Sequence, residues 1–226
     1  MTHNDHPRLF FLHMPKCAGM TLHAIIERQY KPEQIYTVPS APWVDANYRS
    51  LCDEWAPDAK ARLRVVKGHM PYGWHKAFGE EPYEYITILR HPVERVLSLY
   101  SFIKEWHFDY SYKLDGLDAF VSRAVAAEND MTYYLSGFQG RGREAFLVAW
   151  GNLTAMPVVG TVDTFDRTLH VARERYGWLV EPYDTQNVTP DRVRNVSPDI
   201  VQRILERNQY DLMLYAYAVA KQGDRL

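Results

Sequence analysis

The chain has 226 residues, with 26 Lys and Arg against 28 Asp and Glu and a formal net charge of −2. That length suits one domain with a single large core, and the balance of charge excludes bulk attraction to nucleic acid or an anionic membrane surface. Two cysteines, Cys17 and Cys52, make no disulfide framework, and no apolar run approaches the roughly 20 residues of a spanning helix.

The opening MTHNDHPRLFFLHMPK is too weakly apolar before Pro15 to be a signal peptide. The expectation is therefore one cytoplasmic domain over residues 1–226, with residues 1–7 a flexible lead-in and no membrane span. On the same ground the sequons at Asn152, Asn187 and Asn195 are read as chance matches.

In chain order, residues 8–13 read as a buried strand and 21–30 as a helix. Residues 63–67 and 85–89 read as two more strands. Residues 92–106 carry Val93, Val96, Leu97, Tyr100 and Ile103 at helical spacing, with Pro92 suited to the first turn. Residues 117–127, 130–135 and 143–153 read as helices, 157–162 as a fourth strand and 164–176 as its following helix. Helices over 198–206 and 210–220 close the chain. Strand followed by helix, repeated, predicts an α/β fold with a central, mainly parallel sheet flanked by helices. In such sheets ligands sit at the carboxyl ends of the strands.

The stretch FFLHMPKCAGMTL, residues 10–22, runs from the first strand through a turn into the first helix. The free N–H groups of a helix start, with the helix dipole behind them, bind phosphate. Ala18 and Gly19 allow close backbone approach, Lys16 adds a full charge, and Thr21 adds a hydroxyl. A plain strand–turn–helix with an exposed lysine is the alternative. The G-x-x-x-x-G-K-[ST] loop is absent, since here the lysine precedes the glycine.

HMPKCAGMTL resembles the 5′-phosphosulfate loop of sulfotransferases that use 3′-phosphoadenosine 5′-phosphosulfate (PAPS). It is most similar to that of the carbohydrate group containing the heparan sulfate 2-O-sulfotransferases. The resemblance implies a P-loop-NTPase-like fold and contacts to the 5′-phosphate from Lys16, Cys17, Ala18, Gly19, Met20, Thr21 and Leu22. Cys17 and Met20 stand where hydroxyl residues are common, so binding leans on backbone N–H groups, Lys16 and Thr21. LRHPVERVLSLY, residues 89–100, resembles the family's 3′-phosphate motif. Arg90 there offers a planar fork and Ser98 a hydroxyl, while Arg95 lies on another side of that helix and suits a structural ion pair.

Transfer to an alcohol needs a base, and histidine is the natural one near neutrality. Of nine histidines, His69 in VVKGHMPYGWH follows a predicted strand directly, where ligands collect. The segment also resembles the family's strand-GH element, whose histidine is the base; a loop histidine bonded to backbone is the alternative. His75 is expected to orient the acceptor, and His13 to orient backbone.

ENDMTYYLSG, residues 128–137, resembles an acceptor-side segment, which makes Asn129 and Tyr133 candidate substrate contacts; helix packing by Tyr134 and Leu135 is the equal alternative. Tyr133 replaces an arginine there and implies a less charged acceptor. The C-terminal segment resembles the loop that closes over the nucleotide, which makes Arg192 and Arg194 candidate contacts, with a solvated basic face as the equal alternative. The likeness runs from about residue 8 to 220.

The reading is sulfuryl transfer from PAPS to an acceptor hydroxyl, on a glycan or a small molecule, leaving 3′,5′-ADP. Lys16 neutralises the leaving oxygen, His69 is the base, and no metal is called for. The alternatives are a small-alcohol or lipid acceptor, a nucleotide-dependent kinase of similar fold, and a binding module without catalysis.

Overall fold

Arg8–Leu12 forms strand β1, and all five residues are buried. Alternation sends Phe10 and Leu12 into one apolar cluster and Leu9 and Phe11 into another, so β1 needs cover on both faces, the mark of a central strand. The computed structural model describes residues 7–38, 57–79, 82–105, 116–180, 182–183, 193 and 195–223.

The elements that follow are helix α1 (Gly19–Gln29), β2 (Ile35–Thr37), α2 (Pro57–Arg62), β3 (Val65–Gly68), β4 (Tyr83–Leu89) and α3 (Pro92–Glu105). After them come α4 (Gly116–Arg123), α5 (Asp130–Leu135), α6 (Arg143–Ala155), β5 (Val158–Thr161), α7 (Phe165–Tyr176), α8 (Pro198–Arg207) and α9 (Gln209–Gly223). The sheet has five parallel strands in the order β2-β3-β1-β4-β5. One face is covered by Leu22, Ile25 and Ile26 of α1 and Leu169, Ala172 and Tyr176 of α7. The other is covered by Met131 and Leu135 of α5, Phe146, Ala149 and Leu153 of α6, and Leu214 and Ala218 of α9. A third cluster joins α3, α4 and α8. Among the described residues no helix is long and apolar enough to cross a membrane.

This strand order places the site. The chain lays β1, β2 and β3 on one side, then passes over β1 to form β4 and β5 on the other. The loops leaving β3 and β4 therefore part on either side of the loop leaving β1, which opens a crevice at their carboxyl ends.

The expected elements recur with shifted ends, and the sheet gains a strand. β2 is only three residues long and none of them is buried, so it shows no alternation to read. α1 begins two residues earlier than expected, at Gly19. The helix expected over 117–127 breaks at Ala124 and resumes as a 3-10 turn, Val125–Ala127.

Asp211, wholly buried in α9, caps α5. Its carboxylate accepts from the backbone N–H of Met131 at 3.0 Å and of Thr132 at 2.7 Å, and from the Thr132 hydroxyl at 2.8 Å. Asp211→Asn replaces one accepting oxygen by a donor, leaving a buried N–H without a partner. A loss of about 1–2 kcal/mol in unfolding free energy is expected, read by chemical denaturation.

Candidate active site

The segment between β1 and α1 is bent by two residues in the left-handed region that are not glycine, Lys16 (φ 68°) and Ala18 (φ 55°). Such strain in L-residues marks a backbone shaped for a task, and left-handed residues in a tight turn aim successive N–H groups into one concavity. Ala18 is the N-cap of α1, gives no side-chain cap bond, and is followed by no acidic residue in the first turn. The start of α1 thus meets neither a capping side chain nor a carboxylate of its own first turn, the setting in which a helix start holds an anion. Gly19 is required here, because a Cβ would fall 1.8 Å from the His13 ring.

Side chains divide the loop. Cys17 is buried and its thiol is pushed up to about 12 by that burial, so it stays protonated and inert. Leu22 is fully buried in the core and Met20 is exposed, which leaves their backbone as what they can offer the loop. Thr21 is buried in the first turn of α1. The Lys16 ammonium lies 4.1 Å from the centre of the Phe102 ring. Burial and then the Arg90 charge lower its pKa.

Arg90 follows β4 directly and its Nη1 donates to the Lys16 carbonyl at 2.9 Å, tying the second segment to the first. Glu94 lies 3.8 Å from its Nη2. Ser98 is buried two turns into α3. Arg95, with no exposed surface, pairs with Asp130 at 3.2 Å and donates to the Ala126 carbonyl at 2.7 Å. It is structural, as its position on the helix predicts.

His69 follows β3 and is partly exposed. Its Nδ1 lies 2.8 Å from the His13 carbonyl oxygen. A carbonyl only accepts, so Nδ1 carries the hydrogen and Nε2 keeps its lone pair. Lowered by burial, the His69 pKa favours the neutral ring, against smaller upward pulls from that hydrogen bond and Asp130. Such a ring can accept a proton at Nε2.

Lys16, His69 and Arg90 thus stand at the carboxyl ends of three neighbouring strands. Other expected contacts fall elsewhere. His75 is buried on the sheet face, stacked on Tyr83 at 3.7 Å with Nδ1 3.1 Å from the Tyr85 hydroxyl, and burial lowers it to about 4. The 3-10 turn Trp74–Phe78 carries it back towards the start of β4, so it packs the core instead of orienting an acceptor. Asn129 is also turned inward: its side-chain oxygen accepts from the N–H groups of Tyr210 and Asp211, capping α9. Tyr133 stacks on Phe138 at 4.4 Å, with the Arg141 guanidinium 4.3 Å over its ring. Arg192, Arg194 and Cys52 lie outside the described residues.

One side chain beside these residues went unread in the sequence: Arg141 sits in a loop after α5 and has no periodic signal that points at the site.

Residues 1–136 match the family model described as the sulfotransferase family. No curated protein matches. Among solved structures the chain is similar to mouse sulfotransferase SULT7A1 complexed with PAP, at 13% identity and a TM-score of 0.49, covering 92% of this chain and 66% of that one. The chain therefore spans just under two thirds of that relative's length. With the family match running over more than half of its residues, from the first strand through the last turn of α5, this chain belongs to the sulfotransferase family.

Proposed function

We propose that this protein transfers a sulfuryl group from PAPS to a hydroxyl, with a carbohydrate as the leading acceptor class. The observation that carries the reading is the junction of the uncapped, left-handed loop after β1 with Arg90 after β4, through the bond from Arg90 to the Lys16 carbonyl. A concavity at an uncapped helix start beside two cations fits a nucleotide with phosphate at both its 5′ and 3′ positions.

In this reading the amides at the start of α1 and the Thr21 hydroxyl hold the 5′-phosphate, while the Cys17 N–H stays on the Met14 carbonyl at 3.3 Å; Arg90 and Ser98 hold the 3′-phosphate. Arg192 and Arg194 are further candidate contacts to the nucleotide. The bound nucleotide supplies the activated sulfuryl group.

His69 Nε2 takes the proton of the acceptor hydroxyl, while its Nδ1–H stays on the His13 carbonyl and fixes the ring plane. The Lys16 ammonium leaves Phe102 to stand at the oxygen where negative charge grows. Positioning and electrostatics carry the rate, as in phosphoryl transfer.

Tyr133 stands where the family segment carries an arginine, and its own ring is taken up by Phe138 and Arg141. The Arg141 charge above it is already met by Asp130 at 2.9 Å, which favours an acceptor of modest negative charge. The test is transfer of radiolabelled sulfate from PAPS to a panel of neutral glycans, uronic-acid glycans and simple alcohols. Labelling of neutral glycans above the rest is expected. Labelling of alcohols alone would move the acceptor to a small molecule, and labelling of none would remove the reading.

A further inference from the structure

Beneath His69 runs a chain of polar side chains that the roles above leave unused. Lys67 in β3 is 1% exposed, and its ammonium lies 3.0 Å from Nδ1 of His23 and on the carboxylate of Glu27, both in α1. His23 Nε2 lies 3.0 Å from Nδ1 of His13. The His13 ring stacks on His69 at 4.1 Å with 27° between planes. Its own carbonyl takes the His69 Nδ1–H.

The donors fix a direction along this chain. An ammonium has hydrogens and no lone pair, so His23 Nδ1 accepts from Lys67. A neutral His23 then carries its hydrogen on Nε2 and donates to His13 Nδ1. A neutral His13 in turn carries its hydrogen on Nε2. That ring edge lies against Gly19, where a Cβ would fall 1.8 Å from Nε2, so the last donor of the chain sits at the start of α1. Both rings stay neutral at physiological pH: burial and the nearby Lys67 push His23 down to about 3, and burial with His69 and His23 holds His13 well below its ordinary value.

We propose that Lys67, acting through His23, locks His13 as a neutral Nε2–H ring beneath His69, which makes Lys67 and His23 positioning residues for the base. The lock rests on His69 being that base. A neutral ring in face contact lets His69 take up the acceptor's proton, whereas a cationic His13 would oppose it. The pinned His13 also holds the carbonyl that selects the His69 tautomer.

The groups that bear on these rings are few. His13, Asp130 and Lys16 act on His69; His69, His23, Lys16 and Lys67 act on His13; Lys67 and His69 act on His23, with Glu27 beyond Lys67. Lys67 is the cation that touches His23 directly. Removing its charge raises the pKa of His23 and, to a lesser degree and against the larger pull of burial, of His13, and their protonated forms are the inactive ones. The acid limb of turnover must then move to higher pH.

The test begins with nitrogen-15 NMR of histidine-labelled wild-type protein without nucleotide. At neutral pH, His13 and His23 are expected as Nε2–H tautomers and His69 as Nδ1–H, all neutral. Lys67→Met is expected to mix the His23 tautomers. It should also shift the acid limb of kcat with PAPS upward by about one pH unit, and steepen it towards two protons. Affinity for 3′,5′-ADP should stay within about twofold, because the chain touches the base and leaves the phosphate contacts in place. A wild-type His13 or His23 that is charged or in the Nδ1–H form overturns the proposal, as does a Lys67→Met enzyme with an unshifted profile. If that variant does not fold, the wild-type tautomers decide alone. The expected tautomers in a protein that binds no 3′,5′-ADP would sink the sulfotransferase reading, and with it the lock's role beneath a base, while leaving the hydrogen-bond chain from Lys67 to His13 in place.

Discussion

His69→Ala is expected to lower turnover with PAPS by about 10²–10⁴-fold, the range supplied by a positioned base, and to leave affinity for 3′,5′-ADP within about twofold. The split follows from the geometry. His69 is anchored to the His13 carbonyl at 2.8 Å, with its free nitrogen turned away from that bond. Lys16 and Arg90, on the other two strands, keep their own anchors when the ring is removed. The pH profile carries the same signature. The neutral ring is the working form, and burial lowers its pKa from 6.5. The neutral form therefore persists to more acid pH than for a free imidazole. Turnover should be level through neutrality and fall, by one proton, only at a pH below that value. An acid limb above it, or a variant with near-normal turnover, contradicts the assignment of the base while leaving the family untouched.

Arg90→Ala is expected to show the opposite emphasis, weakening 3′,5′-ADP binding by about a hundredfold, or about 3 kcal/mol, with kcat at saturating PAPS largely kept. Two losses add. The fork that grips the phosphate goes, and so does the donor that holds the Lys16 carbonyl and with it the left-handed loop. Arg90→Lys should recover little, because a single ammonium cannot reach loop carbonyl and phosphate together in the plane of a guanidinium. Titration calorimetry on both variants measures this directly. A normal Kd in Arg90→Ala would place the 3′-phosphate elsewhere.

How much of this was legible in the sequence depended on where periodicity ran. β1 could be read because five apolar or aliphatic-stemmed residues end at a proline turn, and the structure buries all five. The loop and the Arg90 junction could be read because lysine, small residues and arginine fall at strand ends, and strand order alone brings those ends together. β2 could not, being short and without a buried face. The inward turns of His75 and Asn129 could not be read either. Their fates are set by partners remote in sequence: Tyr85 for the first, Tyr210 and Asp211 for the second. The histidine chain shows the same limit. His13 and His23 face each other because α1 folds back over β1, and Lys67 joins them from a strand paired to β1 through a register that no local pattern encodes.

The most direct test of the central claim is titration calorimetry of the wild-type protein with 3′,5′-ADP in the presence of a chelator, compared with ATP and magnesium. The account predicts tight binding of 3′,5′-ADP that magnesium does not alter, and weak or no binding of magnesium-ATP. Failure to bind 3′,5′-ADP, or a clear preference for magnesium-ATP, would contradict it and turn the loop after β1 into the phosphate site of a kinase.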